Sequence, residues 1–161
     1  MLRILKDKWA KNEGLLLEKI AKLDLNRYSM EYEELVSLAF DTIYNDGEEI
    51  SGLDYPYCDG LDCDHITVVD NGDYQGTQLF LIPFNTYQPE AHEYLMTYFG
   101  YGSCSGCDTL QRILEDETNR DRQNSNLLTV CRDLIMRAIK PYNDGWRYCN
   151  AFEQVKFEEE E

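Results

Sequence analysis

Two kinds of apolar spacing divide this chain, and they constrain its fold more than any other feature of the sequence. Toward both ends, apolar residues recur every three to four positions, which is typical of helices with one buried face. Between residues 65 and 99, short β-branched and apolar runs alternate with turn residues, which is typical of strands. This order predicts an α+β fold, with a small antiparallel β-meander between N-terminal and C-terminal helices.

The same spacing sets the approximate limits of the elements. One helix is expected over residues 2–24, with Gly14 as a candidate interruption, and a second from Ser29 to about residue 45. Three strands are expected, at residues 65–69, 76–82 and 92–99. A helix should follow Asp108, which can cap it, and a last helix should run from Ser125 to Lys140-Pro141.

The length of 161 residues is that of a single domain. We divide it into four parts: a helical N-terminal part (1–46), an acidic loop with the meander (47–107), C-terminal helices (108–157) and an acidic tail (158–161). No apolar run approaches the ~20 residues that span a bilayer. The N-terminus lacks the apolar stretch of a signal peptide. We therefore expect a soluble, cytoplasmic protein.

The formal net charge of −16 arises from the middle of the chain. Residues 28–111 contain 16 Asp and Glu, ten of the 12 tyrosines, and no Lys or Arg. The rest of the chain carries 15 acidic and 15 basic residues. A field of one sign repels nucleic acid and anionic membranes and attracts basic proteins. A basic protein is therefore the expected partner, and direct binding of nucleic acid or membrane is not expected.

The candidate partner contacts are acidic and tyrosine residues of this middle region, since tyrosine adds apolar contact area at low entropic cost. They are Asp54, Tyr55, Tyr57, Asp59, Asp62, Asp64, Asp70, Asp73 and Tyr74.

Cys104 and Cys107, in the run YGSCSGCD, have the spacing of a metal-binding knuckle. In a reducing compartment, closely spaced cysteines more often bind metal or do redox chemistry than form structural disulfides. Gly106 would let the backbone wrap tightly around an ion held by both thiolates. The pair is expected between the last strand of the meander and the helix that follows.

A second pair, Cys58 and Cys63, precedes the meander, which can return the chain toward it. The predicted ligands of a closed, structural Zn²⁺ site are Cys58, Cys63, Cys104 and Cys107, with His65 as the alternative ligand.

Two other interpretations of Cys104 and Cys107 stay open. They could be a redox dithiol, because a helix start lowers the pKa of a thiol. Against this, the thioredoxin βαβ context is missing, and Asp108 should oppose thiolate formation by like-charge repulsion. The cysteines could also simply line a tight turn. Cys131 lies on an apolar helix stripe and is expected in the core, and Cys149 is expected to be buried packing.

No catalytic constellation is evident. The chain contains no GxSxG, P-loop or HExxH motif, and its acidic residues do not have the spacing of an EF-hand. His92 is expected to be an ordinary polar residue at a strand end. We therefore predict a protein that is not an enzyme and has no catalytic residues.

The stretch from Gly72 to Gln111 resembles a group of phage and prophage proteins. The matching pieces are Asp73-Tyr74-Gln75-Gly76-Thr77, the apolar strand that follows it, and the run from Tyr101 to Leu110. The resemblance covers about a quarter of the chain and implies a viral accessory protein without implying an activity. A small, acidic, non-enzymatic phage protein is similar in profile to anti-defence proteins, anti-CRISPR proteins among them. The hypothesis is a protein that binds and inhibits a basic host defence protein, such as a CRISPR-Cas nuclease. The alternatives are a thiol redox protein and a structural or assembly component of the phage.

Overall fold

Helices and one antiparallel sheet follow each other in the predicted order. The computed structural model describes residues 2–25, 30–46, 60–116, 118–141 and 152–154. The described helices are α1 (Leu2–Ala21), α2 (Tyr32–Phe40), α3 (Thr109–Glu115) and α4 (Arg120–Met136). The strands are β1 (Thr67–Asp70), β2 (Gly76–Pro83), β3 (Tyr94–Tyr101), β4 (Ile139–Pro141) and β5 (Phe152–Gln154). A π-helical turn, Asp41–Asn45, extends α2, and a 3-10 turn, Ala91–Glu93, precedes β3. The prediction of an α+β fold with a small meander is confirmed.

The strands are ordered β1-β2-β3-β4-β5, and each pairs antiparallel with the next. The longest pairing joins β2 to β3, from Gly76 opposite Tyr101 to Pro83 opposite Tyr94. Burial alternates along β3, as expected for a sheet with one face covered. Thr97, on its buried side, donates a hydrogen bond to the carbonyl of Leu134 in α4.

The core lies between the covered face of the sheet and the helices. The apolar stripe of α1 is buried as predicted, at Leu5, Trp9, Leu16 and Ile20. The largest buried side chains of α2 and the sheet include Phe40, Phe80, Ile82, Phe84 and Leu95. No described helix combines the length and the apolar character that crossing a membrane requires.

Arg120, the first residue of α4, closes the C-terminal end of α1. Its guanidinium Nη2 donates to the carbonyls of Ile20 (3.1 Å), Ala21 (3.3 Å) and Leu23 (2.8 Å). The last carbonyls of a helix have no partner within the helix, so this side chain satisfies groups that would otherwise need water. It also fixes the start of α4 against the end of α1.

Asn45 binds the chain where it returns at residue 61. The Leu61 N–H donates to Asn45 Oδ1 (2.9 Å), and Asn45 Nδ2 donates to the Leu61 carbonyl (2.8 Å). Gly60 has φ +104°, and a Cβ there would lie 2.8 Å from Asn45 Oδ1. The conformation and the close approach both require glycine at residue 60.

The C-terminal third differs from the prediction in three respects. Helix α4 begins at Arg120 rather than after Ser125, because the Asn119 side chain accepts from the Arg122 N–H and caps it. It ends at Met136, and Ile139 instead pairs with Met96 of β3. The part predicted as helices through residue 157 therefore also contains β4 and β5.

Gly14 does not interrupt α1, which is continuous through it. A Cβ at this exposed position would meet no atom within 4 Å. Because glycine inside a helix is less stable than alanine by about 0.5–1 kcal/mol, Gly14→Ala should raise the free energy of unfolding by that amount. Urea denaturation under reducing conditions measures it. Gly72→Ala is the contrasting variant, since its Cβ would lie 2.1 Å from the Gln75 carbonyl oxygen. An unchanged or lower stability for Gly14→Ala would contradict the prediction.

Candidate functional site: the cysteine loop and the acidic groove

The loop that carries Cys104 and Cys107 joins β3 to α3, at the predicted strand-to-helix junction. Strand β3 ends at Tyr101, and α3 begins at Thr109. Inside the loop the backbone folds into a tight turn, because the N–H groups of Cys107 (2.9 Å) and Asp108 (2.7 Å) both donate to the Cys104 carbonyl. The turn holds the two cysteines on the same side of the loop, with their sulfur atoms in contact.

The buried carboxylate of Asp108 anchors this loop. Its Oδ1 accepts from the Gln111 N–H (2.8 Å), which caps α3 as predicted, and its Oδ2 accepts from the Gly102 N–H (3.0 Å). The hydroxyl of Tyr32, at the start of α2, donates to Oδ1 (3.3 Å) and accepts from the Leu110 N–H (3.1 Å). Burial raises the pKa of Tyr32 to about 12, so its hydroxyl stays a hydrogen-bond donor at neutral pH. One carboxylate thus ties the loop to two helices.

Both thiols of the pair are exposed, and their Sγ atoms lie 3.0 Å apart. Cys107 Sγ also accepts from the Cys104 N–H (3.2 Å). The pKa of Cys107 lies below its ordinary value, first because of the hydrogen bond with the Cys104 side chain. The carboxylate of Asp108, expected to oppose thiolate formation, is held by hydrogen bonds with Gly102, Gln111 and Tyr32.

The glycine that this turn requires is Gly102, not Gly106. A Cβ at Gly102 would lie 2.6 Å from the carbonyl carbon, carbonyl oxygen and Sγ of Cys107. A Cβ at Gly106 would lie 3.7 Å from Cys104 Sγ, which is an ordinary contact, and Gly106 does not have a positive φ. The close approach is thus between Gly102 and Cys107, and the sequence analysis did not predict it.

The structure does not bring Cys63 or His65 to the pair. Cys63 precedes β1 and lies beside α2. Its carbonyl accepts from Ser37 Oγ (3.0 Å), and its Sγ lies 4.0 Å from Asn45 Nδ2. Burial and then the carboxylates around it raise its pKa to about 12. His65 is exposed and its Nδ1 pairs with Asp62 Oδ2 at 2.8 Å.

Within the described residues, no three His, Cys, Asp or Glu side chains are grouped so that they could hold a metal ion. Cys58, the fourth predicted ligand, and Cys149 lie outside those residues. The Zn²⁺ site therefore stays a prediction, and Cys104 and Cys107 are the part of it that the loop brings together. Cys131 is in the core as predicted, where burial raises its pKa to about 12.

A second feature is an open groove beside α2, with a volume of about 570 Å³. We call it the acidic groove. Its lining residues are Glu31, Glu33, Glu34, Ser37, Leu38, Asp41, Cys63 and Asp64. Most of them come from the side of α2 opposite its buried stripe, and Cys63 and Asp64 complete the wall. Sequence reasoning missed the α2 residues, although carboxylates at positions 31, 34 and 41 have the spacing of one helix face.

The described lining of the groove carries five carboxylates and no basic side chain. Glu31 and Glu34 form a reciprocal capping box at the start of α2, and Asp41 accepts from Asn45 Nδ2 (2.7 Å). In the part of the chain that the structure describes, none of the five pairs with Lys or Arg. The described residues therefore give the groove a strongly negative lining.

The predicted partner contacts fall into two places, with a third group undescribed. Asp64 lines the acidic groove, and Asp62 beside it accepts from the Asp64 N–H and pairs with His65. At the opposite end of β1 from these residues is the β1–β2 turn, which contains Asp70, the last residue of β1, together with Asp73 and Tyr74. The last group lies outside the described residues: Asp54, Tyr55, Tyr57 and Asp59.

At the β1–β2 turn, Asp70 has a structural role. Its carboxylate accepts from the Tyr101 hydroxyl (2.7 Å) and the Gly72 N–H (3.0 Å), and these bonds lower its pKa. Among the described tyrosines, only Tyr74 and Tyr87 are strongly exposed, at 81% and 91%. Tyr32 is instead buried against Phe99, with ring centroids 4.8 Å apart. Tyr32 and Tyr101 of the acidic region thus stabilise the fold through contacts with other residues.

Comparison with protein-family models, curated proteins and solved structures finds no match to this chain.

Proposed function

We propose that this chain is a cytoplasmic phage protein that binds a basic host defence protein through the acidic groove and inhibits it. The observation that carries the proposal is the set of five groove carboxylates, beside which the described part of the chain places no Lys or Arg. A nuclease that holds DNA or RNA does so with Lys and Arg along its nucleic-acid channel. The groove is opposite in charge to such a channel, and a CRISPR-Cas nuclease is the partner class that we propose first.

The electrostatics of the groove favour recognition of a basic surface. A cluster of carboxylates attracts a positive patch at long range and raises the association rate. Leu38 offers an apolar contact to the methylene groups of a bound arginine, and Ser37 offers a polar one. A protein that occupies the channel excludes nucleic acid by competition, so inhibition requires no catalytic residue.

The test is a cleavage assay with purified CRISPR-Cas nucleases, each loaded with guide RNA and given its target DNA in the presence of this chain. Inhibition of at least one nuclease is expected, with a Kd that rises with salt because screening weakens charge–charge attraction. Absence of inhibition across the panel would reject the CRISPR-Cas assignment. Binding that does not change with salt would reject the electrostatic mode.

The double variant Glu33→Gln with Asp64→Asn tests the groove itself. Neither side chain makes a hydrogen bond in the described structure, and the capping box of α2 is left intact. Two exposed ion pairs with the partner contribute roughly 0.2–1 kcal/mol each, so affinity should fall roughly two- to thirty-fold. Glu18→Gln with Glu115→Gln is the matched control, since it removes the same charge from exposed positions outside the groove. Equal losses in the two double variants would contradict a site at the groove.

A further inference from the structure

The two exposed thiols are set apart from the other cysteines that the structure describes. Cys63 and Cys131 are buried, whereas Cys104 and Cys107 both face solvent. A buried thiol behaves as a small apolar residue, but an exposed one can be reached by a disulfide or another oxidant. The chemistry of the pair is therefore separate from the packing that explains the other two.

The geometry of the loop holds the two sulfurs close to bonding distance. Their separation of 3.0 Å is about 1 Å longer than a disulfide bond. The hydrogen bond from the Cys107 N–H to the Cys104 carbonyl fixes the turn between them. The Gly102 backbone packs directly against Cys107. Asp108 also anchors the loop through its hydrogen bonds with Gly102 and Gln111. The chain therefore loses little conformational entropy when the two sulfurs join.

The described surroundings of the pair are those of a dithiol. Tetrahedral Zn²⁺ needs four ligands, and the described residues place no third His, Cys, Asp or Glu beside the two thiols. The Ser103 hydroxyl lies 3.8 Å from Cys107 Sγ, and a serine hydroxyl does not belong to the usual zinc ligands. Among the residues that the structure describes, the two thiols are thus each other's partners.

We propose that Cys104 and Cys107 form a reversible, redox-active disulfide that exchanges with small-molecule disulfides. One thiol loses its proton to solvent, and the thiolate attacks a sulfur of a disulfide R–S–S–R, which forms a mixed disulfide and releases RS⁻. The second thiol, also deprotonated, attacks the protein sulfur of the mixed disulfide and releases another RS⁻. The pair thus loses two electrons and two protons, and the small disulfide is reduced to two RSH. The proposal is independent of the acidic groove.

The experiment equilibrates the full-length chain with mixtures of reduced and oxidised glutathione, quenches with acid, and maps the cysteines by alkylation and mass spectrometry. The expected product at oxidising ratios is an internal disulfide between Cys104 and Cys107, which reverts when reduced glutathione is restored. Cys104→Ser and Cys107→Ser should each stop at a mixed disulfide with glutathione on the remaining cysteine. Ser105→Ala is the matched control, because it lies between the two thiols and should leave the internal disulfide unchanged.

Circular dichroism of each variant verifies folding, and Cys104→Ser serves if Cys107→Ser does not fold. Persistence of both free thiols at every glutathione ratio would overturn the proposal. So would stoichiometric zinc in the purified protein that protects both thiols from alkylation until a chelator is added, since that result assigns the pair to a metal site.

Discussion

Replacing Asp108 by alanine is expected to lower the free energy of unfolding by about 2–4 kcal/mol, one of the two largest single-site effects that we predict. The change removes the cap of α3, which is worth about 1 kcal/mol. It also leaves the buried Gly102 N–H without an acceptor, which costs about 1–3 kcal/mol. The Tyr32 hydroxyl loses its acceptor at the same time. Urea denaturation under reducing conditions measures the loss.

Asp108→Asn separates the contributions to this loss. An asparagine keeps one oxygen that can accept from the Gln111 N–H, and asparagine is a good helix cap. Its amide group cannot accept from Gly102, so this donor stays unsatisfied. We expect Asp108→Asn to fall between the wild type and Asp108→Ala. A stability of Asp108→Ala within about 0.5 kcal/mol of the wild type, as for ordinary surface substitutions, would show that the carboxylate does not anchor the loop.

Gly102→Ala should be the second strongly destabilising change, with a loss of about 1–3 kcal/mol from overpacking. The added methyl group would lie 2.6 Å from backbone atoms of Cys107, which cannot move without opening the turn. Displacement of Cys107 should also slow formation of the disulfide with Cys104. The readouts are urea denaturation of the reduced protein and the rate of disulfide formation in a fixed glutathione mixture.

Gly106→Ala is the matched control, since it makes the same chemical change four residues along the same loop. Its Cβ has an ordinary contact distance of 3.7 Å to Cys104 Sγ. Stability should therefore change by no more than about 0.5 kcal/mol, and the disulfide should form at the wild-type rate. If Gly106→Ala were the more destabilising of the two, the tight approach would lie at the knuckle glycine, as sequence reasoning placed it.

The elements that sequence reasoning located are those with a strong local period. The stripes of α1 and α2 and the alternating strands β2 and β3 each repeat over many residues, so packing reinforces what the local pattern indicates. The start of α4 is different, because its first turns are polar. There Gln123 is buried and donates to the Ile113 carbonyl (3.1 Å), a tertiary contact that no local pattern contains. Strand β4 is three residues long, includes Pro141, and pairs with a distant strand.

The same distinction between local signals and tertiary contacts applies to the candidate site. The position of the cysteine pair followed from the order of a strand and a capped helix, both of which are local signals. The separation of Cys63 from that pair depends on how Ser37 and Asn45 hold the returning chain, which is a tertiary property. The direction in which Asp108 points is also tertiary, since Tyr32, 76 residues away, supplies one of its partners. The groove carboxylates of α2 do have a local signal, because positions 31, 34 and 41 have the spacing of one helix face.

The double hydrogen bond between Asn45 and Leu61 brings together two points of the chain that are 16 residues apart. The free-energy cost of such a closure grows by only about 0.6 kcal/mol for each doubling of the number of residues enclosed. The Asn45–Leu61 contact is therefore compatible with many lengths of the intervening sequence. That sequence contains four of the nine predicted partner contacts, and Asp64 of the groove wall follows Leu61 by three residues. Recognition residues can therefore change in number and kind on one side of this contact while the groove wall on its other side keeps its place.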